Sequence, residues 1–305
     1  MSYQIELRHI KYFLAVAKDL HFRKAAERLF ISQPGLSRQI KQMENDLGVL
    51  LFERHNRKVI LTKAGEYLKE ELALNLKSLE HTFYHAKLLN DGKKGDLKFG
   101  YVGSAMQEII PHLLVAFKEE HPNALFNLKE MGNHKQIEEL LSFDIDLGFV
   151  RLDRVPKELE IKPILKENFC LVLPNNHTLN KENFKGLHQL KEASFILFDP
   201  KYSATYFEKV MQIFDDSGFS PIVSHNTIHA SSIYKLVENN FGISMVPKSL
   251  TDINNKNLKF IELTKIKQKT TLSIVWNKNN RNPILNRVFD FVSGLSNKVS
   301  LETDV

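Results

Sequence analysis

Apolar residues over the first ninety positions recur at helical rather than strand spacing. Leu7, Ile10, Leu14 and Ala17, with Phe13 widening the stripe, predict a first helix of about three turns. A second, short helix is predicted over 22–29, where Ala25 and Ala26 allow close packing, and Phe30-Ile31 forms a turn before Ser32. Ser32 is a good N-cap, and Pro34 falls in the first turn of the next helix, where its missing N–H costs nothing. In that third helix Leu36, Ile40, Met43 and Leu47 form the core face, leaving Gln33, Ser37 and Lys41 on the other side with Arg38 beside them. Leu50-Leu51-Phe52 and Val59-Ile60-Leu61 then predict two short strands around a basic tip at 53–58, which completes a winged helix-turn-helix. From Thr62 to about Leu89 the stripe Leu68, Leu72, Leu76, Leu79, Phe83 and Ala86 predicts one long helix, about 40 Å at 1.5 Å per residue. That is more than a small winged domain needs, so a partner helix is expected, and the polar run at 91–96 separates it from the remainder of the chain.

Beyond residue 96 the pattern changes to alternating strand and helix. Strand LKFGYV, a helix at about 107–120, strand ALFNL, a helix at about 135–141 and strand IDLGFV form one set. Residues 194–246 repeat the scheme with SFILF, a helix through YFEKVMQIFDD, PIVSH, a helix through SSIYKLVENN, and GISMV. Alternation of this kind implies parallel sheets with right-handed crossovers, hence two similar α/β lobes. IKPILKENFCLVLP and NLKFIELT…TLSIVWN read as the crossings between them, and NPILNRVFDFVSGL as a closing helix. The fold class is α/β overall: a winged domain over 1–62, a linker helix over 63–90, and a two-lobed domain over 91–305. Lobe one is expected at about 96–163 and 268–305, and lobe two at about 164–267.

Charge sharpens this division. The formal net charge is +6, but residues 1–66 hold 12 Lys and Arg against 7 Asp and Glu, whereas the remainder is close to balanced. The head contains six Arg and the rest of the chain four. Arginine offers planar, bidentate donors for phosphates and guanine edges, so its placement suggests nucleic-acid contact. A helix with a small, donor-rich outer face in its first two turns suits the major groove, although an ordinary solvated face has the same composition. Arg57 and Lys58 at the strand tip suit a minor groove or phosphates.

In the lobes, ligands of such folds bind beyond the carboxyl ends of strands, where helix N-termini point N–H groups into a crevice. Gly103-Ser104-Ala105 and Tyr202-Ser203-Ala204-Thr205 are hydroxyl-rich edges of this kind. Together they suit a small anion, a carboxylate above all; each also reads as simple capping. Catalysis is not indicated: the chain has no H-E-x-x-H, no G-x-S-x-G and no G-x-x-x-x-G-K-[ST]. The single cysteine, Cys170, excludes an intramolecular disulfide and a cysteine zinc site. His81 and His85 share a helix face with no third ligand nearby, so neither a metal nor a cofactor is expected. No run approaches the roughly 18 apolar residues of a membrane span, and without a signal-like start a cytoplasmic location is expected. An exported solute-binding protein would have no use for the basic head. A DNA-binding protein whose lobes serve only assembly remains an alternative.

Residues 7–68 resemble the DNA-binding domain of LysR-type transcriptional regulators through KAAERL, SQPGLSRQI, the E-x-x-LG of Glu44 to Gly48, LFER and LTKAGE. The resemblance implies that Gln33, Pro34, Gly35, Ser37, Arg38 and Lys41 approach double-stranded DNA and that Arg57 serves the wing. Gly35, where many members carry a side chain, removes one apolar contact to a thymine methyl. GYVGSAMQEIIPHLLVAFKEEHPNALFNLKEMG, LVLPNNHTL and YKLVENNFGISMVP resemble the effector-binding domain of the same family, which is related to type 2 periplasmic binding proteins. The resemblance implies a dimerising linker helix, assembly to a homotetramer, and a small carboxylate effector. EMG followed by Asn133, and DLGFVRL, resemble the subgroup responding to muconate and benzoate. By position Ser104 and Asn133 would meet the ligand carboxylate from lobe one, with Arg151 a nearby cation, and Ser203 and Tyr206 would contribute from lobe two. Asn133 stands where the muconate responders have Thr, and Tyr206 where they have Phe. Asn240 replaces a usual glycine at a helix end, a position whose left-handed backbone Asn tolerates.

Overall fold

The stripes predicted for the head become three helices around one apolar cluster: α1 (Leu7–Asp19), α2 (Phe22–Arg28) and α3 (Gln33–Leu47). The structure is a computed structural model and describes residues 4–55, 58–90, 96–107, 109–120, 125–252, 254–282 and 284–292. The chain divides into two units, residues 1–83 and 84–305. In the first, Phe13, Val16, Ala25, Leu36, Ile40, Met43 and Leu51 are sealed from solvent. The Ser32 hydroxyl accepts from the Gly35 amide at 3.3 Å, and Pro34 lies in the first turn as expected.

The antiparallel strands β1 (Phe52–His55) and β2 (Lys58–Leu61) form the wing. Its base is fixed by two polar devices. The buried Glu44 carboxylate accepts the amides of Leu51 at 2.8 Å and Phe52 at 3.2 Å, which ties the end of α3 to the start of β1. Thr62 donates its hydroxyl to the Leu50 carbonyl at 2.7 Å and accepts the Gly65 amide at 3.0 Å, capping α4 (Lys63–Asn90). Gly65 is required there because a Cβ would lie 2.2 Å from the Leu51 carbonyl oxygen. Arg57, at the expected tip, lies outside the described residues, as does the polar run over 91–95.

α4 has 28 residues, about 42 Å at 1.5 Å per residue. Of its predicted stripe, Leu68 and Leu72 pack on the winged core, so part of the apolar face serves its own chain. Further along, Leu74, Phe83 and Tyr84 are exposed.

The second unit holds, in chain order, β3 (Asp96–Tyr101), α5 (Ile109–Glu120), β4 (Leu125–Glu130), α6 (Asn133–Leu141), β5 (Leu147–Val150), β6 (Leu159–Glu167), β7 (Phe169–Pro174), β8 (Ser194–Phe198), α7 (Ala204–Asp216), β9 (Ile222–Thr227), α8 (Ala230–Glu238), β10 (Ile243–Pro247), β11 (Leu258–Glu262) and β12 (Thr270–Asn277). A helical segment over 285–292 closes it. Two five-stranded sheets result, ordered β4-β3-β5-β12-β6 in lobe one and β11-β7-β10-β8-β9 in lobe two.

Three expectations change. The sheets are mixed rather than parallel: β3 is parallel to β4 and β5, and β8 to β9 and β10, but β12 and β7 run antiparallel to their neighbours. These are the strands next to the crossings, and a chain arriving from the other lobe need not follow the direction set by helical crossovers. The first crossing falls at Asn168 rather than near 163, because β6 stays paired with β12 to the Glu167–Thr270 pair. The helix expected from about 107 begins at Ile109, after a 3-10 turn over Gly103–Met106. Asn240 has φ +61° beyond the end of α8, and the amides of Asn240 and Phe241 close the helix on Val237 and Leu236.

Candidate functional site

Two regions gather the chemistry, one in each unit. In the first, α3 turns its apolar face inward and leaves Gln33, Pro34, Arg38 and Lys41 exposed, with Gly35 and Ser37 half-buried. The first unit's other described arginine side chains have acidic partners: Arg8 with Glu6 at 2.8 Å, Arg23 with Glu27 at 3.0 Å and Arg28 with Asp19 at 2.9 Å. Arg38 has none among the described residues, so its guanidinium is available to a phosphate or base. A groove of about 430 Å³ between α1 and α3 is lined by Arg8, Tyr12, Ile31, Gly35, Arg38 and Gln42 among others. Arg8 and Tyr12 escape sequence reasoning because α1 reads only as a core helix. The groove wall is braced by His9, fully buried, whose Nε2 lies 2.9 Å from Gln39 Oε1.

In the second unit a cavity of about 210 Å³ opens between the lobes. Lobe one contributes Tyr101, Ser104, Glu130 and Arg151, and lobe two Phe198, Tyr202, Ser203, Tyr206 and His229. Four of the five expected residues therefore line one space. Asn133 does not: its amide donates to the Arg151 carbonyl at 3.1 Å and to Ser203 Oγ at 2.8 Å, and its Oδ1 accepts the Arg151 amide at 3.1 Å. Its own backbone N–H, at the start of α6, donates to the Tyr202 carbonyl at 3.1 Å. Gly132 permits that approach, since a Cβ would lie 2.7 Å from the Tyr202 oxygen. Asn133 is thus a clasp between lobes rather than a wall of the cavity.

Arg151 lines the cavity but is not a free cation. Nη2 donates to Glu167 Oε1 at 2.6 Å and Ser249 Oγ at 3.3 Å, Nη1 to Thr270 Oγ1 at 2.9 Å, and Nε to Ser104 Oγ at 3.0 Å. Both side chains of the Arg151–Glu167 pair are only 5% exposed. Sequence reasoning missed Glu167, Ser249 and Thr270, which no local motif connects to Arg151. It also assigned the two serines to capping as an alternative; instead Ser203 accepts from Asn133, with no side-chain cap on α7, and Ser104 accepts from Arg151. Each hydroxyl keeps its own proton for donation.

The N-termini of α7 and α8 meet this cavity without side-chain caps, through Ser203 and Tyr206 on one side and His229, Ala230 and Ser231 on the other. Such termini carry partial positive charge and unpaired N–H groups. The Tyr206 hydroxyl donates to the Met245 carbonyl at 3.0 Å, and burial holds its phenol well above the ordinary range, so it stays neutral. Glu130 Oε1 bridges the lobes, 3.3 Å from His229 Nδ1 and 3.4 Å from the Tyr202 hydroxyl that donates to it. Cys170 lies in the lobe-two core, where burial pushes its thiol up to about 12, which removes it from redox chemistry near neutral pH. No group of three His, Cys, Asp or Glu among the described residues is arranged to hold a metal ion, and no described helix is long and apolar enough to cross a membrane.

Comparison with known proteins gives a family match for each part of the chain. Residues 7–66 match the model of the bacterial regulatory helix-turn-helix protein, lysR family, and residues 90–295 that of the LysR substrate binding domain. The chain is 30% identical over 300 residues to the HTH-type transcriptional regulator AlsR of Bacillus subtilis (strain 168), covering 98% of this chain and 99% of that protein. It is 32% identical over 261 residues to the HTH-type transcriptional regulator BenM of Acinetobacter baylyi, covering 85% and 86%. Among solved structures, full-length CbnR complexed with its target DNA superposes with a TM-score of 0.65 at 28% identity, covering 95% of this chain and 100% of that one. These relatives are regulators rather than enzymes. With both family models in their expected order and nearly the whole chain covered, the protein belongs to the LysR family of DNA-binding transcriptional regulators.

Proposed function

We propose that this regulator reads a specific operator with Gln33, Pro34, Gly35, Ser37, Arg38 and Lys41 of α3 and with Arg57 of the wing, and that a small carboxylate bound between the lobes controls its activity. The observation that carries the second half is the cavity itself. Two helix N-termini without side-chain caps and the hydroxyls of Ser104 and Ser203 face one cleft between the lobes, a donor set suited to an anion. Its size, about 210 Å³, suits a single-ring or short-chain molecule, since an engineered cavity of about 150 Å³ accepts benzene. Muconate, benzoate and their analogues fall in that range, and the likeness to BenM favours testing them first.

The exposed apolar residues of α4, Leu74 and Phe83, support a dimerising linker helix. Exposed Leu125 on the edge strand β4 and Ile222 and Val223 on the edge strand β9 support further assembly to a homotetramer in the cytoplasm. A ligand that favours one lobe arrangement would then shift the spacing of paired DNA-binding units.

A second reading has one observation in its favour. Asn133, Arg151 and Tyr206 are satisfied by the protein's own groups, so the lobes could serve assembly alone. A thermal-shift series of small carboxylates on the full chain separates the two. A ligand at about 100-fold excess over Kd stabilises by roughly 2.7 kcal/mol. Ser104→Ala should weaken that response while leaving DNA affinity without ligand unchanged. If no carboxylate shifts the melting of the second unit, the effector reading fails and the assembly reading stands.

A further inference from the structure

Phe30 is a residue that the fold does not explain. Its side chain is 95% exposed, whereas Phe13, Phe22 and Phe52 of the same unit are buried. Its backbone is also left-handed, with φ +55°. The position is the stop signal of α2: the Phe30 amide donates to the Glu27 carbonyl at 3.2 Å and the Ile31 amide to the Ala26 carbonyl at 3.1 Å. That pair of bonds is the helix ending in which glycine is the preferred residue, because a side chain crowds the left-handed backbone. Local physics therefore asks for glycine, and the chain instead places a phenyl ring there and leaves it in water. Backbone and solvation both disfavour the ring in the free protein, which directs attention to what it meets in a complex.

Its surroundings narrow the partner. Phe30 stands two residues before Ser32, the N-cap of α3, and next to Ile31, which lines the groove shared by Arg8 and Arg38. Lys24 on α2, Arg38 and Lys41 are exposed in the same unit. The first turn of α3 offers little apolar reach of its own, because Gly35 has no side chain beyond Pro34. An apolar ring two residues ahead of the N-cap of a groove-reading helix that carries exposed Arg38 and Lys41 fits a DNA duplex, whose sugars and thymine methyls are apolar while its phosphates engage the cations. We propose that Phe30 is an apolar DNA contact, its ring seated on a thymine methyl or a deoxyribose where α3 enters the major groove. The inference rests on α3 being the reading helix.

The test uses the full chain and a duplex that it selects itself from a random-sequence library. Affinities of the wild type, Phe30→Gly, Phe30→Asn and Arg38→Ala are measured by fluorescence anisotropy across a salt series, with melting temperatures taken in parallel. Both Phe30 variants should melt no lower than the wild type, since Gly and Asn suit the left-handed backbone, yet bind the duplex about 3- to 30-fold more weakly. The slope of log Kd against log salt should not change, because an apolar contact releases no counterions. Replacing thymidine by deoxyuridine in the duplex separates the two sources. A loss seen only in the wild type assigns the ring to a methyl, and equal behaviour of wild type and variants on the two duplexes assigns it to a sugar. If Arg38→Ala weakens binding while the Phe30 variants bind as the wild type does, the proposal is overturned and the reading of α3 survives. If those variants also lose sedimentation coefficient at unchanged affinity, the ring belongs to self-association and the proposal is equally overturned. A changed salt slope in the Phe30 variants contradicts an apolar contact. Unweakened binding by Arg38→Ala would remove the reading of α3 and the proposal together.

Discussion

Replacing Glu167 by glutamine tests whether the interior of the second unit depends on a single ion pair. The carboxylate accepts Arg151 Nη2 at 2.6 Å, the Ser249 amide at 2.5 Å and the Ser249 hydroxyl at 2.9 Å, with both charged side chains 5% exposed. Glutamine keeps the volume but removes the charge, and it turns an amide group toward donors that need an acceptor. Arg151 cannot lose its proton, so a cation is left buried without its counter-charge. Removing one partner of a buried pair costs about 3–5 kcal/mol, against about 0.3–0.5 kcal/mol for a helix-surface pair such as Arg23–Glu27. For a unit of about 220 residues, unfolding entropy of about 2.1 cal/mol/K per residue converts that cost to a fall of about 6–11 °C in Tm. Trp276, packed against Phe289 with ring centroids 4.3 Å apart in lobe one, reports the transition by fluorescence. Glu27→Gln serves as the surface control. Joint replacement of Arg151 and Glu167 by Met and Leu should recover most of the loss, because the desolvation cost disappears with the charges. A Glu167→Gln protein melting within about 2 °C of the wild type would refute the reasoning, since Arg151 would then be satisfied without Glu167.

Three further outcomes rest on the geometry. Glu44→Ala orphans the amides of Leu51 and Phe52 at the base of the wing, at about 2–4 kcal/mol to the first unit, measurable in a urea titration of its helical signal. Gly65→Ala drives a methyl against the Leu51 carbonyl oxygen and should cost about 1–3 kcal/mol, with DNA affinity falling because the wing is displaced. Cys170 should resist alkylation in the folded chain at pH 8 and react once the chain is unfolded; its unfolded thiol titrates near 9.0 and its folded thiol near about 12, so stability falls as pH rises through that interval. Rapid alkylation of native protein would place the thiol outside the core.

What was legible in the sequence is what depends on neighbours in the chain. Leu36, Ile40 and Met43 declared the buried face of α3 by spacing, Ser32 its cap, and Asn240 the end of α8. The hydroxyl-rich edges at Ser104 and Ser203 were placed on one cavity by the same strand-to-helix logic. What failed depends on distant partners. Arg151 read as a cation near the ligand with no partners assigned to it, because Ser249 and Thr270, two of its acceptors, stand 98 and 119 residues away. Asn133 read as a ligand contact because nothing local reveals the Tyr202 carbonyl that meets its amide. The direction of β7 and β12 escaped for a related reason: a strand that arrives from the other lobe carries no mark of its orientation in its apolar pattern.

The contact between Gly132 and Tyr202 has a dynamic consequence. The amide at the head of α6 has no cap from its own segment and takes one from lobe two, so parting the lobes and fraying the helix are a single event. Deuterium uptake at the Asn133 amide therefore counts lobe openings directly. Protection there that deepens when a ligand is added would measure closure at one amide, with no attached fluorophore and no partner required.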